Sequence, residues 1–168
     1  MLARIYRYRW LLILAVVVFG LDQITKAWID ATLPFETYYG PDRITVIPSF
    51  FHLVHVGNPG AAWGMFADKA RWLAVLAVGT LIAIYFFRHH LELRRMVTQV
   101  CFGLLCGGIV GNLVDRILHG HVIDFLLFTF GSYDFPAFNI ADSAICVGVA
   151  IYLYQSFREP QRAEISGR

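Results

Sequence analysis

The chain has 168 residues, of which 58% are hydrophobic and only 15% charged, and its mean hydropathy is +0.59. That balance excludes an ordinary soluble domain. A formal net charge of +2, with no basic stripe interleaved with aromatics, excludes a nucleic-acid surface and points to lipid as the partner.

Arg4, Arg7 and Arg9 precede an apolar run over 10–20, as in a secretory signal peptide, but no small-x-small cleavage site follows. The segment reads as an uncleaved anchor. Crossing the hydrocarbon as a helix takes ~20 residues, with about 17 tolerated. Segments 10–28, 70–87, 96–113 and 140–157 qualify, so the expected fold is an α-helical membrane protein with four transmembrane helices. Between the first two, the loop 30–69 carries two β-rich runs, Ile44–Ile47 and 50–56, split by Pro48 and Ser49. A small sheet lying on the membrane is expected there. The segment 117–138, rich in Phe, Leu and Tyr, is expected at the interface or lining a groove. The tail 158–168 reads as a disordered extension beyond Glu159. The whole chain, 1–168, reads as one integral membrane domain, without internal repeats.

Positive charge retained near helix ends marks the cytoplasmic side. Arg4, Arg7, Arg9, Arg88, Arg94, Arg95, Arg158, Arg162 and Arg168 lie at the two termini and between the second and third helices, nine of the 14 Lys and Arg. Both termini and the tail are therefore expected in the cytoplasm, and the loops 30–69 and 117–138 outside. All eight aspartates then fall at or beyond the outer helix ends.

Polar residues interrupt these spans. An ionised carboxylate within a bilayer costs roughly 2.5–3.5 kcal/mol on insertion scales, so it usually marks a site or a polar pathway. Asp142 opens the fourth helix beside Ser143, and Asp124 sits among Val122, Ile123, Phe125, Leu126 and Leu127. Taken singly, each aspartate is explained as well or better by a helix cap or an interfacial ion pair. Two carboxylates brought together in a low-dielectric site share a proton, and that state suits peptide hydrolysis: one activates water while the other hydrogen-bonds the scissile carbonyl. Spacing alone does not establish such a pair.

Other patterns are structural. Asp22 and Lys26, four residues apart, can pair on the first helix, and Asn58 before Pro59 and Gly60 is an ordinary turn former. Asn112 and Arg116 share a helix face, while Asp115 reads as the partner of a neighbouring cation. Gly103, Gly107 and Gly111 recur every four residues and form a smooth face for close helix approach. Cys101, Cys106 and Cys146 lie in apolar runs and read as packing residues. His52, His55, His119 and His121 lack the spacing of a His-Glu-x-x-His site, and no Gly-x-Ser-x-Gly elbow occurs, so neither a metal nor another cofactor is expected.

Five blocks in order resemble the prolipoprotein signal peptidase, or signal peptidase II, family. They are Asp22-Gln23-Ile24-Thr25-Lys26, Asn58-Pro59-Gly60-Ala61-Ala62-Trp63, the glycine-rich block from Gly107 to Arg116, His121-Val122-Ile123-Asp124-Phe125, and the block from Phe135 to Ser143. Ile109 and Val114 depart from the usual pattern in size only. The resemblance implies an aspartic-type endopeptidase of the bacterial inner membrane that removes signal peptides from diacylglyceryl-modified prolipoproteins, near the outer face. It implies Asp124 and Asp142 as the catalytic pair and Asp22, Asn58, Gly60, Asn112, Arg116 and Asn139 as residues that brace the site or bind substrate. The partners implied are the lipid-modified substrate and membrane lipid, with the enzyme itself a monomer. On physics alone the rivals are a proton-coupled carrier, because Asp, Asn and Arg also build ion pathways, and a scaffold packed through its glycine face.

Overall fold

Hydropathy and length dictate most of the architecture. The computed structural model describes residues 6–60, 65–66 and 69–166, with side chains as far as Arg158. Arg4 and Arg168, the side chain of Arg162, Asp68, and Ala61, Ala62 and Trp63 lie outside the described residues. Four helices are long and apolar enough to cross a membrane: α1 (Arg9–Thr32), α2 (Ala70–Phe87), α3 (Met96–Leu118) and α4 (Ile140–Ser166), whose span closes at Arg158. The expected helical membrane class is the one found.

Two helices outrun their expected ends. α1 runs on from the expected end at 28 to Thr32, and α3 from 113 through Asp115 and Arg116 to Leu118. Hydropathy fades at Asp115 and Arg116, but the helix continues because both side chains find partners inside the protein. Gly120, at φ +77°, follows the last turn of α3 and turns the chain away. The expected disordered tail is also corrected: α4 runs past Glu159 and through Pro160 to Ser166, carried by the helix formers Gln161, Arg162, Ala163 and Glu164.

α3 is the central helix and packs closely on α1 and α4 and more lightly on α2. Its glycines decide how closely. A Cβ at Gly103 would meet Leu14 at 2.9 Å, one at Gly107 would meet the Ala15 carbonyl at 2.7 Å, and one at Gly111 would strike the Asp22 carboxylate. The Gly103/Gly107/Gly111 stripe thus faces α1. Gly108 faces the other way, onto Ala141 and Ile145 of α4, and Gly148 of α4 returns the contact on Cys101. α2 has no buried residue and stands apart, with Trp72 and Phe86 facing outward as lipid-facing residues do.

The loops between α1 and α2 and between α3 and α4 meet in a single antiparallel sheet of order β1-β2-β3-β4: β1 (Ile44–Ile47), β2 (Phe51–Asn58), β3 (Val122–Phe130) and β4 (Tyr133–Phe138). The β-rich run expected over 50–56 is β2. The segment expected merely to line a groove is two strands, joined at Phe130 and Tyr133 by a two-residue turn in which Gly131 has φ +65°. Ile123 and Phe125 of β3 pack on Ile29 and Leu33 at the end of α1, with Ile44, Leu53 and Ile140 around them. This apolar cluster fastens the sheet to the bundle. Because neighbouring strand residues point to opposite faces, burying Ile123 and Phe125 against α1 turns Asp124 toward the other face.

Candidate active site

Asp124 and Asp142 are 18 residues apart in sequence, one on a strand and one on a helix, and Asn139 joins them. Asn139 ends the linker from β4 and caps α4. Its Oδ1 accepts the backbone N–H of Asp142 at 2.9 Å, and its own N–H donates to Asp142 Oδ2 at 3.3 Å, a reciprocal capping box. Its Nδ2 donates to Asp124 Oδ1 at 2.7 Å. One fully buried asparagine therefore hydrogen-bonds both carboxylates.

Each aspartate has a second amide partner. Asn58, at the end of β2, donates from Nδ2 to Asp124 Oδ2 at 2.9 Å, and Asn112 of α3 donates from Nδ2 to Asp142 Oδ1 at 2.7 Å. Antiparallel register explains the first contact: Asn58 lies opposite Val122 and Val56 opposite Asp124, so Asn58 and Asp124 share a sheet face. Asn58 Oδ1 accepts the N–H of Gly60 at 3.0 Å, which tightens the Pro59 turn, and the Gly60 backbone carbonyl accepts Arg116 Nη2 at 3.0 Å. Arg116 also donates from Nη1 to the Asn112 carbonyl at 3.2 Å. Arg116 forms no ion pair with either aspartate among the described residues.

Beneath this cluster lies a buried ionic network. Lys26 Nζ contacts Asp22 Oδ2 and Asp115 Oδ2, each at 2.8 Å, and donates to Asn112 Oδ1 at 3.0 Å. All three charged residues are at most 2% exposed. An ammonium can only donate, so Lys26 fixes which end of the Asn112 amide is the oxygen and leaves Nδ2 to meet Asp142. Asp22 Oδ1 accepts the N–H of Ala141 at 2.9 Å, and Asp115 Oδ2 accepts that of Ile123 at 3.0 Å. The network thus anchors the first turn of α4 and the start of β3, the two backbones that carry Asp142 and Asp124. Gln23 donates to Asp115 Oδ1 at 3.0 Å and joins the same cluster.

Burial pushes the Asp124 pKa up to about 7, and the negative charge of Asp142 adds to the rise, while hydrogen bonds from Asn58 and Asn139 and the charge of Lys26 oppose it. A carboxyl so placed exchanges its proton near neutral pH. The geometry brings together Asp22, Asn58, Gly60, Asn112, Arg116, Asp124, Asn139 and Asp142, every position singled out from the sequence. Sequence reasoning did not place Lys26 and Gln23 in the cluster. The four-residue spacing of Asp22 and Lys26 was the only signal for the lysine, and it does not reveal that the pair is buried or reaches Asn112 and Asp115.

The cluster opens onto a cleft of about 430 Å³ between α2 on one side and α3 and α4 on the other. Its polar end is Asn58, Asn112, Arg116 and Asp142, and its apolar end is Leu73, Leu76, Ile109 and Ile145.

His52 and His55 take part in other contacts. His52 Nδ1 lies 3.2 Å from Thr45 Oγ1, and His55 Nδ1 lies 3.0 Å from the Leu33 carbonyl. Burial, assisted by the positive charge of Arg43, lowers the His52 pKa, so the ring stays neutral within the sheet.

Four helices long and apolar enough to cross a membrane, a small sheet clasped to one end and two carboxylates held in one buried polar cluster define a multi-pass membrane protein with an acidic site. Comparison with known proteins makes this specific. The family model for signal peptidase (SPase) II matches residues 14–158, and the chain belongs to that family of membrane peptidases. It is 40% identical over 156 residues to the lipoprotein signal peptidase of Pseudoalteromonas atlantica, covering 90% of each chain. It is 43% identical over 154 residues to that of an Azoarcus species, covering 88% of this chain and 82% of the relative. A bacterial membrane enzyme solved by the in meso method at 2.3 Å superposes with a TM-score of 0.81 at 34% identity, covering 90% of each chain.

Proposed function

We propose that this protein is an aspartic-type endopeptidase that cleaves signal peptides from diacylglyceryl-modified bacterial prolipoproteins, with Asp124 and Asp142 as its catalytic pair. The observation that carries this reading is the double engagement of Asn139, which hydrogen-bonds both carboxylates at once. Membership of the signal peptidase II family supplies the substrate class.

In the reaction, the pair carries one proton near neutral pH. The ionised carboxylate takes a proton from a water molecule, whose oxygen attacks the scissile carbonyl carbon. The protonated carboxyl hydrogen-bonds the carbonyl oxygen as its charge develops. As the C–N bond breaks, the leaving nitrogen takes a proton from the pair, and the one-proton state is restored. Asn58 and Asn112 hold the carboxylates in place, and Arg116, tied to the Gly60 carbonyl, braces the turn above them. The apolar wall of α2 and α4 receives the signal-peptide helix, and the lipid-bearing residue stays toward the bilayer. In this reading the active site lies at the outer face of the inner membrane, with both termini in the cytoplasm, an orientation that the arginine-rich helix ends support. Every group used comes from one chain, so a monomer suffices for the reaction.

A purified-protein assay on a diacylglyceryl-modified precursor, read as a mobility shift, tests this reading. Asp142→Asn is expected to abolish cleavage while the protein accumulates and folds normally. Turnover within tenfold of wild type would remove Asp142 from the mechanism. A carrier would instead support ion or solute flux in proteoliposomes.

A further inference from the structure

α2 stands off from both α1 and α4, so it leaves a furrow on each side. One is the cleft beside the acidic cluster. The other lies between α1 and α2 at the opposite end of the bundle and encloses about 470 Å³. Leu11, Leu81, Ile84 and Leu93 form its apolar wall, with Cys106 of α3 as the floor. Arg7, Arg88 and Arg94 stand around its mouth, together with His89.

Two features set this furrow apart from a simple gap. Gln99, buried in the first turn of α3, donates from Nε2 to the carbonyls of Arg7 at 3.0 Å and Arg94 at 3.3 Å, while its Oε1 accepts the N–H of Trp10 at 3.2 Å. One side chain thus ties together the two backbones that carry arginines from different segments. The local acid is also taken: Glu92 pairs with Arg95 at 3.0 Å, and among the described residues no carboxylate forms an ion pair with Arg7, Arg88 or Arg94. Arg88 instead lies over the Tyr85 ring, 4.7 Å from its centroid, an amphipathic aromatic of the kind found at headgroup level. The result is a cluster of cations, unpaired with any described carboxylate, at the head of an apolar slot.

We propose that this furrow is a binding site for an anionic glycerophospholipid of the leaflet opposite the acidic cluster. Its phosphate sits among Arg7, Arg88 and Arg94, and one acyl chain lies along Leu11, Leu81 and Ile84 over Cys106. Charge complementarity selects an anionic headgroup over a zwitterionic one, and the apolar slot selects a lipid over free phosphate. A bound lipid would fill the space between α1 and α2 that protein leaves empty, and so hold α2 at its distance from α3 without closing the cleft on the other side.

Native mass spectrometry of the full-length protein, released from micelles doped with phosphatidylglycerol or phosphatidylcholine, tests this. Wild type is expected to retain one phosphatidylglycerol in preference to phosphatidylcholine. Each arginine near an anionic surface contributes about fivefold, so Arg7→Gln combined with Arg94→Gln should weaken retention about 25-fold. The backbone carbonyls that Gln99 holds are unchanged in that variant. Arg158→Gln, an exposed cation at the same end but outside the furrow, should retain lipid as wild type does. Leu81→Trp, which blocks the slot and leaves every charge in place, should also lose the lipid. Excess inorganic phosphate should not displace it. Equal loss in Arg158→Gln and the double variant would reduce the effect to general surface charge, full retention in Leu81→Trp would remove the acyl slot, and displacement by inorganic phosphate would make the site a phosphate site. Each of those results overturns the proposal.

Discussion

Asp124 carries the largest electrostatic cost outside the membrane spans, and that cost has a sign. An aspartate titrates near pH 4 in an unfolded chain, whereas this one sits at about 7 when folded. Between those values the folded protein holds a proton that the unfolded chain has lost. Stability contributed by this group therefore falls as pH rises through that window and is lowest above about 7. Asparagine keeps the shape and removes the buried charge. Asp124→Asn is expected to be inactive yet more resistant to thermal unfolding than wild type at pH 8, with a smaller drop in unfolding midpoint between pH 5 and pH 8. An identical pH dependence in both proteins would show that Asp124 is not the titrating group. Removing the charge of Lys26 has the opposite effect on stability. It is the single cation between two buried carboxylates, so Lys26→Met strands Asp22 and Asp115 and is expected to cost about 3–5 kcal/mol in equilibrium unfolding. An unfolding midpoint within a degree of wild type would refute the structural role given to this network. Neither property is written in a motif. The carboxylates could be found in sequence, but their depth and the lysine that bridges them come from helix packing between segments 86 residues apart.

At the level of elements, the helices were legible because crossing a bilayer imposes both length and hydropathy on them, and the glycine stripe because its four-residue period survives in sequence. Its partner was not legible: a period shows that a face is smooth, not which helix lies against it. Steric space now distinguishes two glycines that look alike in sequence. Gly107 meets α1 backbone at 2.7 Å, whereas Gly79 on α2 has nothing within 4 Å. Gly107→Leu should destabilise the fold by about 1–3 kcal/mol, while Gly79→Leu should change stability by less than about 0.5 kcal/mol, as measured by unfolding in mixed micelles. Equal effects would mean that α1 and α3 are not in intimate contact. The strands β3 and β4 were the larger omission. Val122–Phe130 is largely apolar on both faces because one face packs on α1 and the other sets Phe128 against the rings of Phe50, Phe51 and Phe138, so the alternation that betrays a half-buried strand is missing. What the sequence did supply was the two-residue Gly131-Ser132 turn, a hairpin signal flanked by aromatic and β-favouring residues.

Over the whole molecule, the sheet and bundle divide the work. The bundle supplies Asp142, Asn112 and the ionic network, and the sheet supplies Asp124 and Asn58, with Asn139 at the junction between them. A carboxyl pair assembled from two such different scaffolds depends on both being fixed, which accounts for the buried charges under α4 and β3. The resemblance to signal peptidase II drew the site residues from five separated blocks, and the fold gathers them into one place. The furrows on either side of α2 left no trace in sequence, because each is a space that no residue fills.

The most direct test of a shared dyad is kinetic non-additivity. Turnover of a diacylglyceryl-modified precursor would be measured for Asp124→Asn, Asp142→Asn and the double variant, each checked for unchanged folding. If the two carboxylates act as one unit, each single substitution lowers turnover by at least about 10³-fold and the double is no slower than either single. Multiplying losses in the double variant, or appreciable turnover in either single one, would contradict the account.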